Sequence, residues 1–119
     1  MQYMLLFHQP AGELERTPDD PASADYWESW RAYMSAIYDA GVVTSGNVLH
    51  PPSTATMVRF RDGQREVLEG PFAETKEMLG GYLIIDVPSL DEALTWATRS
   101  PSSSTGSTEV RPVALLESA

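Results

Sequence analysis

A chain of 119 residues has the length of one domain, and 42% hydrophobic with 21% charged residues is the composition of a folded globular protein. Seventeen acids against eight Lys and Arg give a net charge of −9, a field that repels phosphate backbones and anionic lipid heads, so neither nucleic acid nor membrane is expected as a partner. The absence of cysteine removes disulfides, thiolate nucleophiles and most zinc sites, and is consistent with the cytoplasmic location we expect.

In chain order, QYMLLFH (residues 2–8) is dense in β-formers and reads as a first strand buried on both faces, not as a signal peptide. PAGELERTPDDPAS holds three prolines and a glycine in fourteen residues, the composition of a surface loop. A helix should start near Ser23 or Asp25, where Asp25 and Glu28 have capping-box spacing. Trp27, Trp30, Met34 and Tyr38, and again Tyr26, Tyr33 and Ile37, recur at helical steps until Gly41. VVTSGNVLH is a second strand, ended by Pro51-Pro52. TATMVRF and REVLEG form a hairpin across Asp62-Gly63.

EGPFAETKEMLGG follows, a turn-forming stretch with Phe72 as an apolar plug, AETKEM as one or two helical turns, and a Gly80-Gly81 pair opening the next strand. GGYLIIDV reads as a central strand. Ser89 and Glu92 make a second capping box ahead of a helix with Leu90, Ala93, Leu94 and Ala97 inward. SPSSSTGS is a polar loop, and TEVRPVALL the last strand. One domain over residues 1–119 results, α+β, with a ferredoxin-like split βαβ layout and an inserted β-hairpin. Met4, Leu6, Leu83, Ile85 and Val110 exceed what one helical layer can cover, so a second copy packed sheet to sheet is expected.

MLLF, STATMVRFRDG, EGPFAETKEMLGGYLIIDV, DEALTWA and GSTEVRPV together resemble the DGPF family, within the YCII-related group, over about residues 3–113. The resemblance implies a dimeric α+β barrel. Some members are encoded beside, or fused to, alternative RNA polymerase sigma factors, which implies such a factor as one conceivable partner. The family name records Asp-Gly-Pro-Phe, and here Glu69 holds the first position. Ser29 and Ser100 fall where the wider group has its proposed catalytic histidine and aspartate, so that pair's acid–base role is not transferred.

The candidate site residues are Glu69, His50, Arg111 and Tyr82. Glu69, with Glu74 and Lys76, belongs to the charged motif near one end of the sheet, which turn chemistry alone explains only in part. His8 and His50 are the only side chains whose reference pKa lies near neutrality, and His50 at a strand end can act as a general base or merely sit in solvent. No ligand spacing gathers them on a metal, and no dinucleotide fingerprint or phosphate loop occurs, so neither metal nor cofactor is expected. Arg111 either holds an anionic ligand or makes a structural ion pair, with Glu69 or near Glu109; Arg59 carries the same ambiguity. Tyr82 can donate a hydrogen bond from the central strand, and Asp86 lies at that strand's end or needs a partner. The expected function is a homodimer binding a small organic ligand in a sheet–helix cleft, with or without cofactor-independent proton transfer, isomerisation or hydrolysis. The alternative is a non-catalytic regulatory partner, for example of a sigma factor.

Overall fold

Alternating burial along the first strand sets the architecture. A computed structural model describes residues 1–70 and 76–116. In it, β1 (Gln2–Pro10) buries Tyr3, Leu5, Phe7 and Gln9 and leaves the side chains between them half-buried. The expectation of a strand buried on both faces is thereby corrected. Helices cover one face, and no layer covers the other among the described residues.

After β1 come α1 (Ala11–Leu14), α2 (Ala24–Asp39), β2 (Val43–Val48), β3 (Thr56–Arg61), β4 (Gln64–Glu69), β5 (Glu77–Asp86), α3 (Leu90–Arg99), α4 (Ser102–Thr105) and β6 (Ser107–Pro112). The main sheet has the order β2-β5-β1-β6, every pair antiparallel. That is the split βαβ arrangement of a ferredoxin-like fold, with α2 and α3 as its two crossovers. The β3–β4 hairpin is inserted between β2 and β5 and pairs with itself alone. Its turn residues Asp62 and Gly63 have φ of 53° and 75°. Positive φ at both central positions is what a two-residue type I′ turn demands, so the Asp-Gly signal was sound.

The core lies between the sheet and the two long helices, where Leu5, Phe7, Leu83 and Ile85 meet Tyr33, Ile37, Ala93 and Ala97. Residues paired across antiparallel strands share a face, and this register corrects the expected open face. Leu83 and Ile85 pair with Leu5 and Tyr3, and Val110 pairs with Leu5, so all three turn toward the helices. Met4, Leu6 and Ile84 are the apolar side chains left on the other side. Phe7, Trp30, Tyr33 and Trp96 meet edge to face, with successive ring centroids 5.2–6.5 Å apart. Tyr33 donates from its hydroxyl to the Trp96 carbonyl at 2.9 Å, and burial pushes its phenol above the ordinary tyrosine range.

Local details refine the reading. α2 begins at Ala24, so Asp25 lies inside the first turn and its spacing with Glu28 is no capping box. The Ser23 hydroxyl, at the N-cap position, is engaged by Arg16 at 2.9 Å and Asp20 at 3.4 Å instead. Ser89 does cap α3, its oxygen accepting from the Glu92 amide at 3.3 Å. Leu90 and Leu94, expected inward, are exposed; Ala93, Trp96 and Ala97 make the packed face of that helix. The loops after β1 and α3 contain the short helices α1 and α4. Glu77 and Met78, expected in a helical turn, already belong to β5, because they pair with Pro10 and Gln9. The remainder of that turn, Pro71 to Thr75 with the Phe72 plug and Glu74, lies outside the described residues.

Candidate functional site

Three glycines keep one edge of the sheet bare. A Cβ on Gly80 would lie 2.5 Å from Leu14 Cδ2 and 2.8 Å from Gln9 Oε1, and one on Gly46 would lie 2.7 Å from the Tyr82 carbonyl oxygen. Gly81 is tight against the Asn47 carbonyl in the same way. Above this strip α2 presents Trp27, Trp30 and Met34, and between them opens a cleft of about 490 Å³. Such a volume lies within the range of small-molecule sites, which are concave and mostly apolar with a few placed polar groups.

The polar groups on this wall centre on Gln9. Gln9, 4% exposed, donates from Nε2 to the Tyr26 hydroxyl at 2.6 Å and to Glu13 Oε2 at 3.4 Å. On the opposite face of the sheet, Asn47 Nδ2 donates to the Tyr82 hydroxyl at 2.9 Å. In addition, Trp30 Nε1 is closed to solvent and has no hydrogen-bond partner among the described residues. A buried donor left unpaired costs about 1–3 kcal/mol, so its presence on a cleft wall is informative.

Of the four candidate residues, only Tyr82 borders this cleft, and its register opposite Leu6 turns its side chain to the open face of the sheet. His50 is exposed in the loop just beyond β2. Glu69 is exposed at the base of the hairpin, where it pairs with Thr56. Arg111 points to the open face of the sheet and pairs with Glu109, not Glu69. No hydrogen bond or ion pair joins any two of the four among the described residues. Arg59 is likewise structural, bonded to Glu66 at 2.8 Å across the hairpin. Asp86 lies exposed at the end of β5, 2.9 Å from the Met1 ammonium.

A second titratable group assembles on the open face. Glu109 accepts from His8 Nε2 at 3.1 Å through one oxygen and from Arg111 through the other. These two hydrogen bonds, His8 first, hold the Glu109 carboxyl below the ordinary carboxylate value.

The positions of the group's proposed catalytic pair carry no such chemistry here. Ser29 Oγ donates back to the Asp25 carbonyl at 2.9 Å within its own helix. Ser100 is 2% exposed and bonded to Ser102 Oγ at 2.7 Å, and Ser102 in turn to Thr108 at 2.6 Å. Ser29 and Pro101 border a second cavity, of about 480 Å³, lined also by Glu13, Tyr26 and Arg99.

Gln9 and Tyr26 were not among the sequence candidates. The signal existed: after Tyr3, Leu5 and Phe7, a glutamine on the same alternation is a polar side chain on the core-facing phase. Glu109 had the same kind of signal in its two-residue spacing from Arg111.

With a four-stranded antiparallel sheet under two helices and a cleft between them, the class is that of the α+β ferredoxin-like proteins from which dimeric α+β barrels are built. The YCII-related domain family model matches residues 1–117, and the chain belongs to that family. A curated relative, an uncharacterised protein of Rhizobium meliloti (strain 1021), is 51% identical over 71 residues, covering 58% of this chain and 57% of its own length. The match therefore spans less than two thirds of that relative. Among solved structures, the 5-chloro-2-hydroxyhydroquinone dehydrochlorinase of Burkholderia phenoliruptrix AC1100, in complex with 2,5-dihydroxybenzoquinone, superposes with a TM-score of 0.53 at 16% identity. That alignment covers 96% of this chain and 94% of the other, and shows a shared fold.

Proposed function

We propose that this protein binds a small, mostly aromatic organic molecule in the cleft between α2 and the β2–β5 edge, and works as a homodimer. The observation that carries the first half is the cleft itself: aromatic and thioether walls over a glycine floor, with a few buried polar atoms. The net charge of −9 favours a neutral or cationic ligand over an anion. The dehydrochlorinase of similar fold acts on a hydroxylated ring and was solved with a quinone, which makes phenols and quinones reasonable first probes.

In a catalytic version of this reading the chemistry is cofactor-independent proton transfer, isomerisation or hydrolysis. Glu69 or His50 then takes a proton, Arg111 holds an anionic group and Tyr82 donates a hydrogen bond. The Tyr82 and Arg111 side chains stand on the open face of the sheet and not in the cleft, so all four roles need their own variants.

The homodimer rests on uncovered apolar surface. Met4, Leu6 and Ile84 form an open strip on the main sheet. Val58, Phe60 and Val67 share one face of the hairpin and are 57%, 73% and 48% exposed. Contiguous apolar surface of this kind marks an interaction site. A second copy satisfies it symmetrically. The same hairpin surface favours a protein contact in the second reading, a regulatory module partnered with a sigma factor, without chemistry.

The test is a panel of phenols, quinones and aromatic acids, followed by tryptophan fluorescence and by thermal unfolding, since Trp27 and Trp30 stand on the cleft wall. A ligand at a hundred times its Kd should raise the stability by about 2.7 kcal/mol. That gain should vanish in Met34→Trp, which fills the cleft. Binding that survives the filled cleft, or no binding across the panel, would sink the cleft reading.

A further inference from the structure

The hydrogen-bond arithmetic around Gln9 fixes the direction of one proton. An amide's nitrogen and oxygen are told apart by their partners. Glu13, when ionised, only accepts, so the Gln9 atom 3.4 Å from Glu13 Oε2 must be the donating Nε2. The same nitrogen donates to the Tyr26 hydroxyl at 2.6 Å. Gln9 Oε1 therefore points the other way, into the space that Gly80 leaves by lacking a side chain. A second donor from Thr105 Oγ1, 2.9 Å from Glu13 Oε2, holds the carboxylate in place from the far side.

Tyr26 is thus an acceptor toward the protein. Its own hydroxyl hydrogen has no acceptor among the described residues, although the side chain is half-buried and lines the cleft. A hydroxyl whose acceptor capacity is engaged from behind turns its hydrogen outward. The Arg16 guanidinium, 5.0 Å from the Tyr26 ring centroid, covers one face of the ring and limits its rotation.

We propose that Gln9 orients Tyr26 as a hydrogen-bond donor into the cleft, so that the site selects neutral aromatic molecules bearing a carbonyl or hydroxyl oxygen. The inference rests on the cleft being the ligand site and adds the chemical class it takes. Gln9 is a positioning residue, and Tyr26 touches the ligand. Glu13 on the same wall discriminates against aromatic carboxylates by like charge.

The experiment compares acetophenone with cumene, which is close in size with a methyl group in place of the carbonyl oxygen, and with benzoate. Dissociation constants are read from tryptophan fluorescence on wild type, Tyr26→Phe and Gln9→Glu. Tyr26→Phe should weaken acetophenone about fivefold to tenfold and leave cumene within about twofold, because one neutral hydrogen bond is at stake. Gln9→Glu keeps the tyrosine but offers its hydrogen a carboxylate acceptor, so it should reproduce the same selective loss. Should Gln9→Glu fail to fold, the near-isosteric Tyr26→Phe decides alone. Acetophenone bound equally by wild type and Tyr26→Phe, or benzoate bound better than acetophenone by wild type, overturns the inference and spares the cleft. Neither acetophenone nor cumene binding to wild type overturns the cleft reading as well.

Discussion

The two faces of the main sheet are made by the same strands and have different fates. On the helix side, Leu5, Ile37, Ile85 and Ala93 are wholly shut off from solvent. On the other side, Met4, Leu6 and Ile84 stay half-buried beside the His8–Glu109–Arg111 group and the Asn47–Tyr82 pair. The first face is a closed core. The second has enough apolar surface to want a neighbour and enough charge to choose which one.

Substitutions on opposite faces of one strand separate these roles most sharply. Leu5→Ala should cost about 2–5 kcal/mol in urea unfolding, independent of protein concentration, because it leaves a cavity in a sealed core. Leu6→Ala, one residue along, should cost less, and its effect should grow as the proposed dimer is populated at higher concentration. Equal, concentration-independent losses from both would erase the distinction between the faces.

Gly80→Ala tests the helix side at its edge. The added methyl meets Leu14 Cδ2 and Gln9 Oε1, ends of side chains that can shift, so a loss of about 1–3 kcal/mol is expected. Weaker binding in the cleft should accompany it, and unchanged ligand affinity would show that the glycine strip serves only strand packing. Phe60→Glu is expected to leave unfolding of dilute protein nearly unchanged and to shift the sedimentation coefficient toward that of the monomer, since Phe60 is 73% exposed on the hairpin.

Glu109→Gln should give the smallest effect, readable as a pH dependence. The Glu109 carboxyl is held below its ordinary value of 4.5 in the folded chain. A depressed folded pKa contributes stability that is present above the unfolded value and lost as pH falls through the folded one. Melting temperatures of wild type and variant should therefore differ at pH 6 and converge on the acid side of 4.5. A constant gap across that window would mean that Glu109 matters through packing, not charge.

Local signals made most of the fold legible. Asp62-Gly63 named its turn, Ser89 with Glu92 named a helix start, and helical spacing placed Tyr33 and Ile37 in the core. What failed was facing. Leu83 and Ile85 were assigned to the open side because a continuous apolar run does not reveal which alternate residues meet helices until register is known. The site was less legible for the same reason. Glu69 belongs to a charged turn motif, His50 to a strand end and Arg111 to the alternation of the last strand, yet hairpin insertion and strand order put them in separate surroundings. Gln9 and Tyr26 are seventeen positions apart and meet only because the chain returns as α2 over β1.

Tyr26 and Glu13 border both cavities, so their side chains contribute to the wall between them. A partition of backbone is fixed by the fold, whereas a partition of two side chains is set by two codons. Shortening Tyr26 is expected to enlarge both cavities, of about 490 and 480 Å³, at their common wall. On the proposed ligand site, a change of ligand size would then lie within reach of a single substitution, with no strand or helix moved.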